Sequence, residues 1–122
     1  MEPYDLSSNK WITISYLSYQ YDYYVLGGYL NGHTKINIEF TPLTGNMNTY
    51  YVTSKVVLDS TNINAFIDRF YSMDLDVPSG VTHNITYTTN PEYPYMYFAF
   101  AFRSSQSGMV EFDFKTNSSY EE

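Results

Sequence analysis

One segment near the carboxyl end constrains the fold most, because apolar side chains recur in it at every second position. In the runs 95–102 and 109–114 the even positions are Met96, Phe98, Phe100, Phe102, Val110, Phe112 and Phe114. A period of two indicates strands with one buried face. The polar residues 103–108 between the runs predict a hairpin loop. We therefore expect the two strands to pair with each other, with an even residue sum such as Phe100 opposite Val110.

The same alternation recurs upstream and predicts most of the remaining strands. We expect strands over 11–19, 21–26, 33–41, 49–58 (one strand or two short ones) and 81–89. Gly27-Gly28 predicts the end of the second strand, and Asn31-Gly32 is a hairpin-turn signal. Pro42 removes a ladder donor and should end the third strand.

Between these strands the apolar period changes to that of a helix. Apolar residues on one helical face predict a short helix near 62–72, and they are Ile63, Phe66, Ile67, Phe70 and Tyr71. Ser60, Thr61 or Asn62 can cap its start.

Seven or eight short strands with one short helix predict an all-β fold. We expect a two-sheet antiparallel β-sandwich, jelly-roll or immunoglobulin-like, with a small closed barrel as the alternative. The length of 122 residues predicts one domain over 1–122, with flexible ends at about 1–9 and 117–122.

Composition argues against several classes of function. The chain has 13 acidic and six basic residues, and its net charge of −7 does not suit a phosphate backbone, so we expect no nucleic-acid partner. No apolar run approaches the length of a membrane span, so we expect no transmembrane segment. Cysteine is absent, which removes disulfides, thiolate metal sites and cysteine catalysis.

No arrangement of titratable residues predicts catalysis or metal binding. His33 and His83 lack the spacing of a zinc site and are expected to be ordinary hydrogen-bonded histidines. Asp68, Asp74 and Asp76 are interpreted as a solvated acidic loop rather than a calcium site. Glu111 and Asp113 would share a strand face, yet nothing in the sequence predicts the cleft that glycoside hydrolysis requires. We therefore expect a protein that is not an enzyme and uses no cofactor or metal.

The 15 tyrosines carry the functional hypotheses. Exposed aromatic side chains anchor protein partners or stack on sugars, whereas buried ones fill the core, and we expect about two thirds to be buried in this way. The candidate interaction surface comprises Tyr19, Tyr21, Tyr23, Tyr24, Tyr29 and Tyr93.

Four stretches of the chain also carry a family resemblance. They are 34–40, 50–53, 97–102 and 110–114. Their order resembles the GOLD-type β-sandwich modules of p24-like cargo proteins, and related domains in secreted and surface proteins of archaea. The resemblance implies a β-sandwich that acts outside the cytoplasm as a non-enzymatic interaction domain.

The sequence thus leads to three functional hypotheses. The first is an extracytoplasmic domain, secreted or part of an ectodomain, that binds a protein partner or a second copy of itself as a homodimer through a sheet face or edge. The second is a carbohydrate-binding module with a tyrosine platform that binds a glycan. The third is a virion structural protein of an extremophile virus.

Overall fold

The fold is a sandwich of two β-sheets. The computed structural model describes residues 2–19, 23–29, 35–59, 61–88, 97–104 and 106–119, without the side chains of residues 2, 3, 67, 68 and 74. The strands are β1 (Glu2–Pro3), β2 (Ile12–Tyr19), β3 (Tyr23–Tyr29), β4 (Lys35–Pro42), β5 (Met47–Ser54), β6 (Tyr71–Val77), β7 (His83–Thr88), β8 (Tyr97–Ser104) and β9 (Ser107–Ser119), and a 3-10 helix spans Ile63–Arg69. The predicted all-β sandwich is confirmed.

The two sheets divide the strands without regard to their order in the chain. One sheet has five strands in the order β1-β3-β8-β5-β6, and the other has four in the order β2-β9-β4-β7. All pairs are antiparallel except the two-residue contact of β1 with β3. Strands that follow one another in the chain therefore often lie in opposite sheets.

The predicted hairpin between the two aromatic strands is wrong. β8 pairs with β3 and β5, whereas β9 pairs with β2 and β4 in the other sheet. The apolar faces themselves are confirmed, because Phe102 and Phe112 are buried and their ring centroids lie 4.4 Å apart across the sandwich. In a hairpin, both phenylalanine rows would lie on the same face of one sheet, and other side chains would have to shield them from water. Because β8 and β9 lie in opposite sheets, the two rows instead face each other across the sandwich and bury each other.

Two further predictions about strand ends differ from the structure. β3 does not stop at Gly27-Gly28 but runs through them. The glycines allow a close approach there instead of a turn, because the Tyr97 ring lies against Gly27 and the Tyr4 carbonyl lies against Gly28. The predicted turn at Asn31-Gly32 lies outside the described residues. The strands that flank it, β3 and β4, belong to different sheets and form no hairpin.

The predicted short helix is a 3-10 helix that ends at Arg69, and Tyr71 begins β6 instead. Asp59 organises its start: its carboxylate accepts hydrogen bonds from the backbone N–H groups of Thr61 and Asn62 at 2.8 and 3.2 Å. The bond from the Thr61 hydroxyl is the main reason why the pKa of Asp59 lies below its usual value. Asp59 thus fixes the turn that precedes the 3-10 helix. Of the predicted caps, Ser60 lies outside the described residues, and the Asn62 side chain accepts a hydrogen bond from the Asp59 N–H and donates one to the Val57 carbonyl.

The 3-10 helix contributes to a second, smaller core on the outer side of the five-stranded sheet. Leu58 and Ile63 pack there with side chains of β5 and β8, namely Val52, Tyr97 and Ala99. This cover explains why residues 97–102 of β8 are buried on both faces of the strand. The sequence pattern predicted burial of only the even-numbered face.

Candidate functional site

The tyrosines proposed as one interaction surface are distributed over different parts of the sandwich. Tyr21 and Tyr93 lie outside the described residues. Tyr24 faces the core, with its ring centroid 5.1 Å from that of Tyr16. Tyr19, at the end of β2, is 75% exposed.

Tyr23 and Tyr29 lie at opposite ends of β3, about 20 Å apart at the usual rise per residue. Tyr23 packs against Tyr50, and the Nη1 of Arg103 donates a hydrogen bond to its hydroxyl at 3.2 Å. Tyr29 is half exposed and lies against the Tyr97 ring. Burial is the main cause that raises the pKa of Tyr97 above its ordinary value. The four described tyrosines therefore do not form a single platform.

The residues considered for catalysis or metal binding are described only in part, and nothing is described of the side chains of Asp68 and Asp74. His33 lies outside the described residues, and His83 is half-buried at the start of β7. Asp74 and Asp76 lie in β6 rather than in the predicted acidic loop, and Asp76 adopts a positive φ of 54°. Within the described part of the chain, no group of three or more His, Cys, Asp or Glu side chains could hold a metal ion.

Glu111 and Asp113 do share one face of β9, as their spacing predicts. Each accepts a hydrogen bond from β2: Ser15 donates to Glu111 at 3.1 Å, and Thr13 donates to Asp113 at 2.6 Å. These carboxylates thus take part in cross-strand pairs on the outer side of the four-stranded sheet.

The two sheets differ in how their edges are formed. In the five-stranded sheet one edge strand, β1, has two residues, and the other, β6, has register shifts against β5 at two points. In the four-stranded sheet the edge strands β2 and β7 keep regular registers over eight and six pairs. An edge with irregular or very short pairing resists addition of another strand, whereas a regular edge permits it.

The outer side of the four-stranded sheet, which we call the polar face, carries rows of side chains that cross the strands. One row runs from Trp11 through Lys115 and Glu39 to Asn84. The Lys115 Nζ lies 3.3 Å from a carboxylate oxygen of Glu39, and 5.8 Å from the Trp11 ring centroid on its other side.

A parallel row on the polar face contains Asn117, Asn37 and Thr86. The Thr86 hydroxyl donates a hydrogen bond to the Asn37 amide oxygen at 3.0 Å. Between the two rows lies a depression of about 290 Å³, to which Asn9 also contributes. The alternation over 33–41 predicted outward polar positions on β4. It did not predict this depression, because the depression depends on the register between β9, β4 and β7.

No protein-family model and no curated protein sequence matches the chain. Among solved structures, the fold is similar to the pre-peptidase C-terminal domain of a collagenase from Bacillus anthracis, with a TM-score of 0.53, 9% identity and 94% of each chain covered. A second similar structure is PliG, a periplasmic inhibitor of g-type lysozyme from Salmonella Typhimurium, with a TM-score of 0.43, 9% identity and 95% and 98% of the two chains covered. At these identities the first likeness shows a shared sandwich fold. No helix in the described residues is long and apolar enough to cross a membrane.

Proposed function

We propose that the protein is a non-enzymatic assembly domain that acts outside the cytoplasm, and that it associates with a second copy of itself through the outer edge of β2. The observation that carries the proposal is the composition of β2 together with its regular pairing. Ile12–Tyr19 contains no charged residue, no proline and no glycine, and all eight residues are in regular register with β9. Among the described strands, none pairs with its other edge. Natural proteins usually protect such an edge with a charge, a proline or a bulge.

β2 suits self-association better than β7, the other edge of the same sheet. The outward side chains of β7 are polar, whereas β2 ends in Leu17 and Tyr19, which are 52% and 75% exposed. Met109 pairs with Leu17 on the neighbouring strand and is 59% exposed. Addition of a strand at β2 would cover part of this apolar surface and contribute to affinity.

Two copies of β2 can pair antiparallel about a two-fold axis and form one continuous eight-stranded sheet. Its inward and outward faces match only when the paired residue numbers have an even sum, as in Ser15 opposite Ser15 or Tyr16 opposite Tyr16. A two-fold contact of this kind closes, which limits the assembly to a dimer.

The acidic residues near this edge do not prevent such pairing. Glu111 and Asp113 lie on β9, one strand in from the edge. In the paired sheet the carboxylates of the two copies would be separated by three strand spacings, about 14 Å. That distance exceeds the screening length of about 8 Å at physiological salt, so their repulsion is weak.

The extracytoplasmic location is supported by the low content of charged residues, 16%, and by the resemblance to GOLD-type and archaeal surface modules. A virion structural protein is a second candidate, and one observation favours it. The four-stranded sheet has two regular, uncharged edges, so β2 of one copy could pair with β7 of the next. Such a contact between different edges forms a ring where the rotation between copies closes, and an open filament where it does not.

A matched pair of substitutions tests the proposal. Ser15→Lys places an ammonium group on β2 opposite Glu111, and Asn84→Lys places one on β7 opposite Glu39. Both lie on outward positions of edge strands, so the monomer should tolerate them equally. In the β2 dimer the two introduced charges at position 15 are directly opposite or diagonal to each other, which should weaken association by roughly tenfold or more.

Sedimentation velocity over a range of protein concentrations measures the outcome. We expect a dimer for the wild-type protein and for Asn84→Lys, and a monomer for Ser15→Lys at the same concentration. If the wild-type protein forms assemblies larger than a dimer, and if each of the two substitutions alone abolishes them, the result would favour the virion hypothesis. A wild-type protein that stays monomeric at all concentrations would contradict both.

A further inference from the structure

The depression on the polar face spans β9, β4 and the edge strand β7, and it lies away from the opposite edge strand β2. Its volume of about 290 Å³ is near the lower limit of ligand pockets, about 300 Å³. We propose that this depression binds one neutral sugar ring of an oligosaccharide. The site is separate from the β2 edge and does not depend on self-association.

Four of the ten described residues that line the depression are asparagines. Asn37, Asn84 and Asn117 come from three adjacent strands. Each amide has a carbonyl acceptor and an NH₂ donor side by side, which matches the alternating donor and acceptor character of neighbouring sugar hydroxyls. Within the described part of the structure, no hydrogen bond engages the side chains of Asn84 and Asn117, both of which are exposed.

The charged groups in the lining favour a neutral ligand. Glu39 and Lys115 form an ion pair at 3.3 Å, so their charges largely cancel. Their side chains are 37% and 29% exposed, and both can still exchange hydrogen bonds with a hydroxyl group. An anionic or cationic ligand would have to compete with this pair, whereas a hydroxyl can join it.

Trp11 provides an aromatic surface at the rim of the depression. Its ring contacts Lys115, which lines the depression, and 48% of the Trp11 surface is exposed. An aromatic ring of this kind packs against the flat C–H face of a pyranose and leaves the sugar hydroxyls free for the amides. A chain of linked sugar rings could extend from the depression across Trp11.

Other classes of ligand fit the depression less well. A divalent cation needs several carboxylate ligands, and Glu39 is the one carboxylate among the described lining residues. An extended peptide binds to a sheet through free backbone groups, but β4 and β9 are paired on both sides, and a peptide strand added at the β7 edge would lie beside the depression rather than in it. An apolar ligand would leave the amide groups without partners.

The chain contains a single tryptophan, so its fluorescence reports on this site directly. We would titrate the full chain with cellotriose, maltotriose, mannotriose and N,N′,N″-triacetylchitotriose, exciting Trp11 at wavelengths where tyrosine does not absorb. Sorbitol serves as the control, since it carries the same hydroxyls without a rigid ring face. We expect a saturable change in emission with at least one trisaccharide and none with sorbitol. If none of the four produces a saturable change, the proposal is wrong.

Matched asparagine substitutions locate the binding. Asn84→Ala and Asn117→Ala each remove one amide from the depression and should weaken binding roughly three- to tenfold. Asn46→Ala and Asn64→Ala remove exposed amides elsewhere and should have no effect. Trisaccharide binding that survives in the Asn84→Ala/Asn117→Ala double variant would place the sugar elsewhere and overturn the proposal.

The Ser15→Lys variant separates this proposal from the one on assembly. It should bind the trisaccharide as the wild-type protein does, even where it fails to form a dimer. Circular dichroism of each variant verifies that a loss of binding does not reflect loss of the fold.

Discussion

Replacement of Phe112 tests the packing between the two sheets. Phe112 is fully buried, and its ring contacts those of Phe40 at 5.4 Å and Phe102 at 4.4 Å between centroids. Truncation of a buried phenylalanine to alanine costs about 3–5 kcal/mol. A domain of this length has a free energy of unfolding of about 6–18 kcal/mol. We therefore expect Phe112→Ala to remove a large part of the stability, and Phe112→Leu to cost about 1–2 kcal/mol.

The milder substitutions permit a double-mutant cycle. Phe102 lies in β8 and Phe112 in β9, so their interaction energy measures contact across the sandwich. We expect the two leucine substitutions to be coupled by about 0.5–1.5 kcal/mol. Urea unfolding measures the free energy of unfolding of each variant. The slope of that free energy with urea concentration should be the same for all variants.

The control is Val56→Ala, because Val56 is 57% exposed and lies in the segment after β5, away from the β2 edge. It should change stability by less than about 0.5 kcal/mol and add independently to Phe102→Leu. If Phe112→Leu costs no more than Val56→Ala, or if the Phe102 and Phe112 substitutions are simply additive, the described packing is incorrect.

Two other predictions concern the five-stranded sheet. Gly28→Ala should destabilise the protein by about 1–3 kcal/mol in urea unfolding, because the added methyl group would overlap the Tyr4 carbonyl and press on Leu6; a cost no greater than that of the surface control Asn46→Ala would contradict this. Burial raises the folded-state pKa of Tyr97, so its contribution to stability is complete below the unfolded value of about 10 and is lost as pH rises through the higher folded value. The Tyr97→Phe variant should therefore lose less stability than the wild-type protein at alkaline pH. If the two proteins have the same alkaline unfolding curve, ionisation of Tyr97 is not a cause of the loss.

Much of the fold could be predicted from the sequence because strand burial is a local property. Alternation in 35–42 and in 109–114 identified strands whose even-numbered side chains are buried. The pairing of strands could not be predicted in the same way. A short polar loop between two strands is compatible with a hairpin and with a crossing between sheets. The choice depends on how Phe102 and Phe112 best cover each other, which is a non-local effect.

The candidate site was predictable only in part. From the sequence we expected a sheet face or edge to carry the function, and the composition indicated aromatic contacts. The sequence could not separate exposed tyrosines from buried ones, because Tyr23 and Tyr24 are adjacent in the chain yet face opposite sides of the sheet. It also could not align Trp11, Lys115 and Glu39, which come together only through the register of three strands.

Hydrogen exchange of the β2 amides tests the central claim most directly, since it observes the proposed edge itself. In an antiparallel edge strand such as Ile12–Tyr19, the N–H groups alternate between those bonded to β9 and those directed to the outer edge of the sheet. We predict that the outward-directed amides of β2 become more protected as protein concentration rises, while those of β7 do not change. Exchange at β2 that is the same at all concentrations, or protection that appears only at β7, would contradict it.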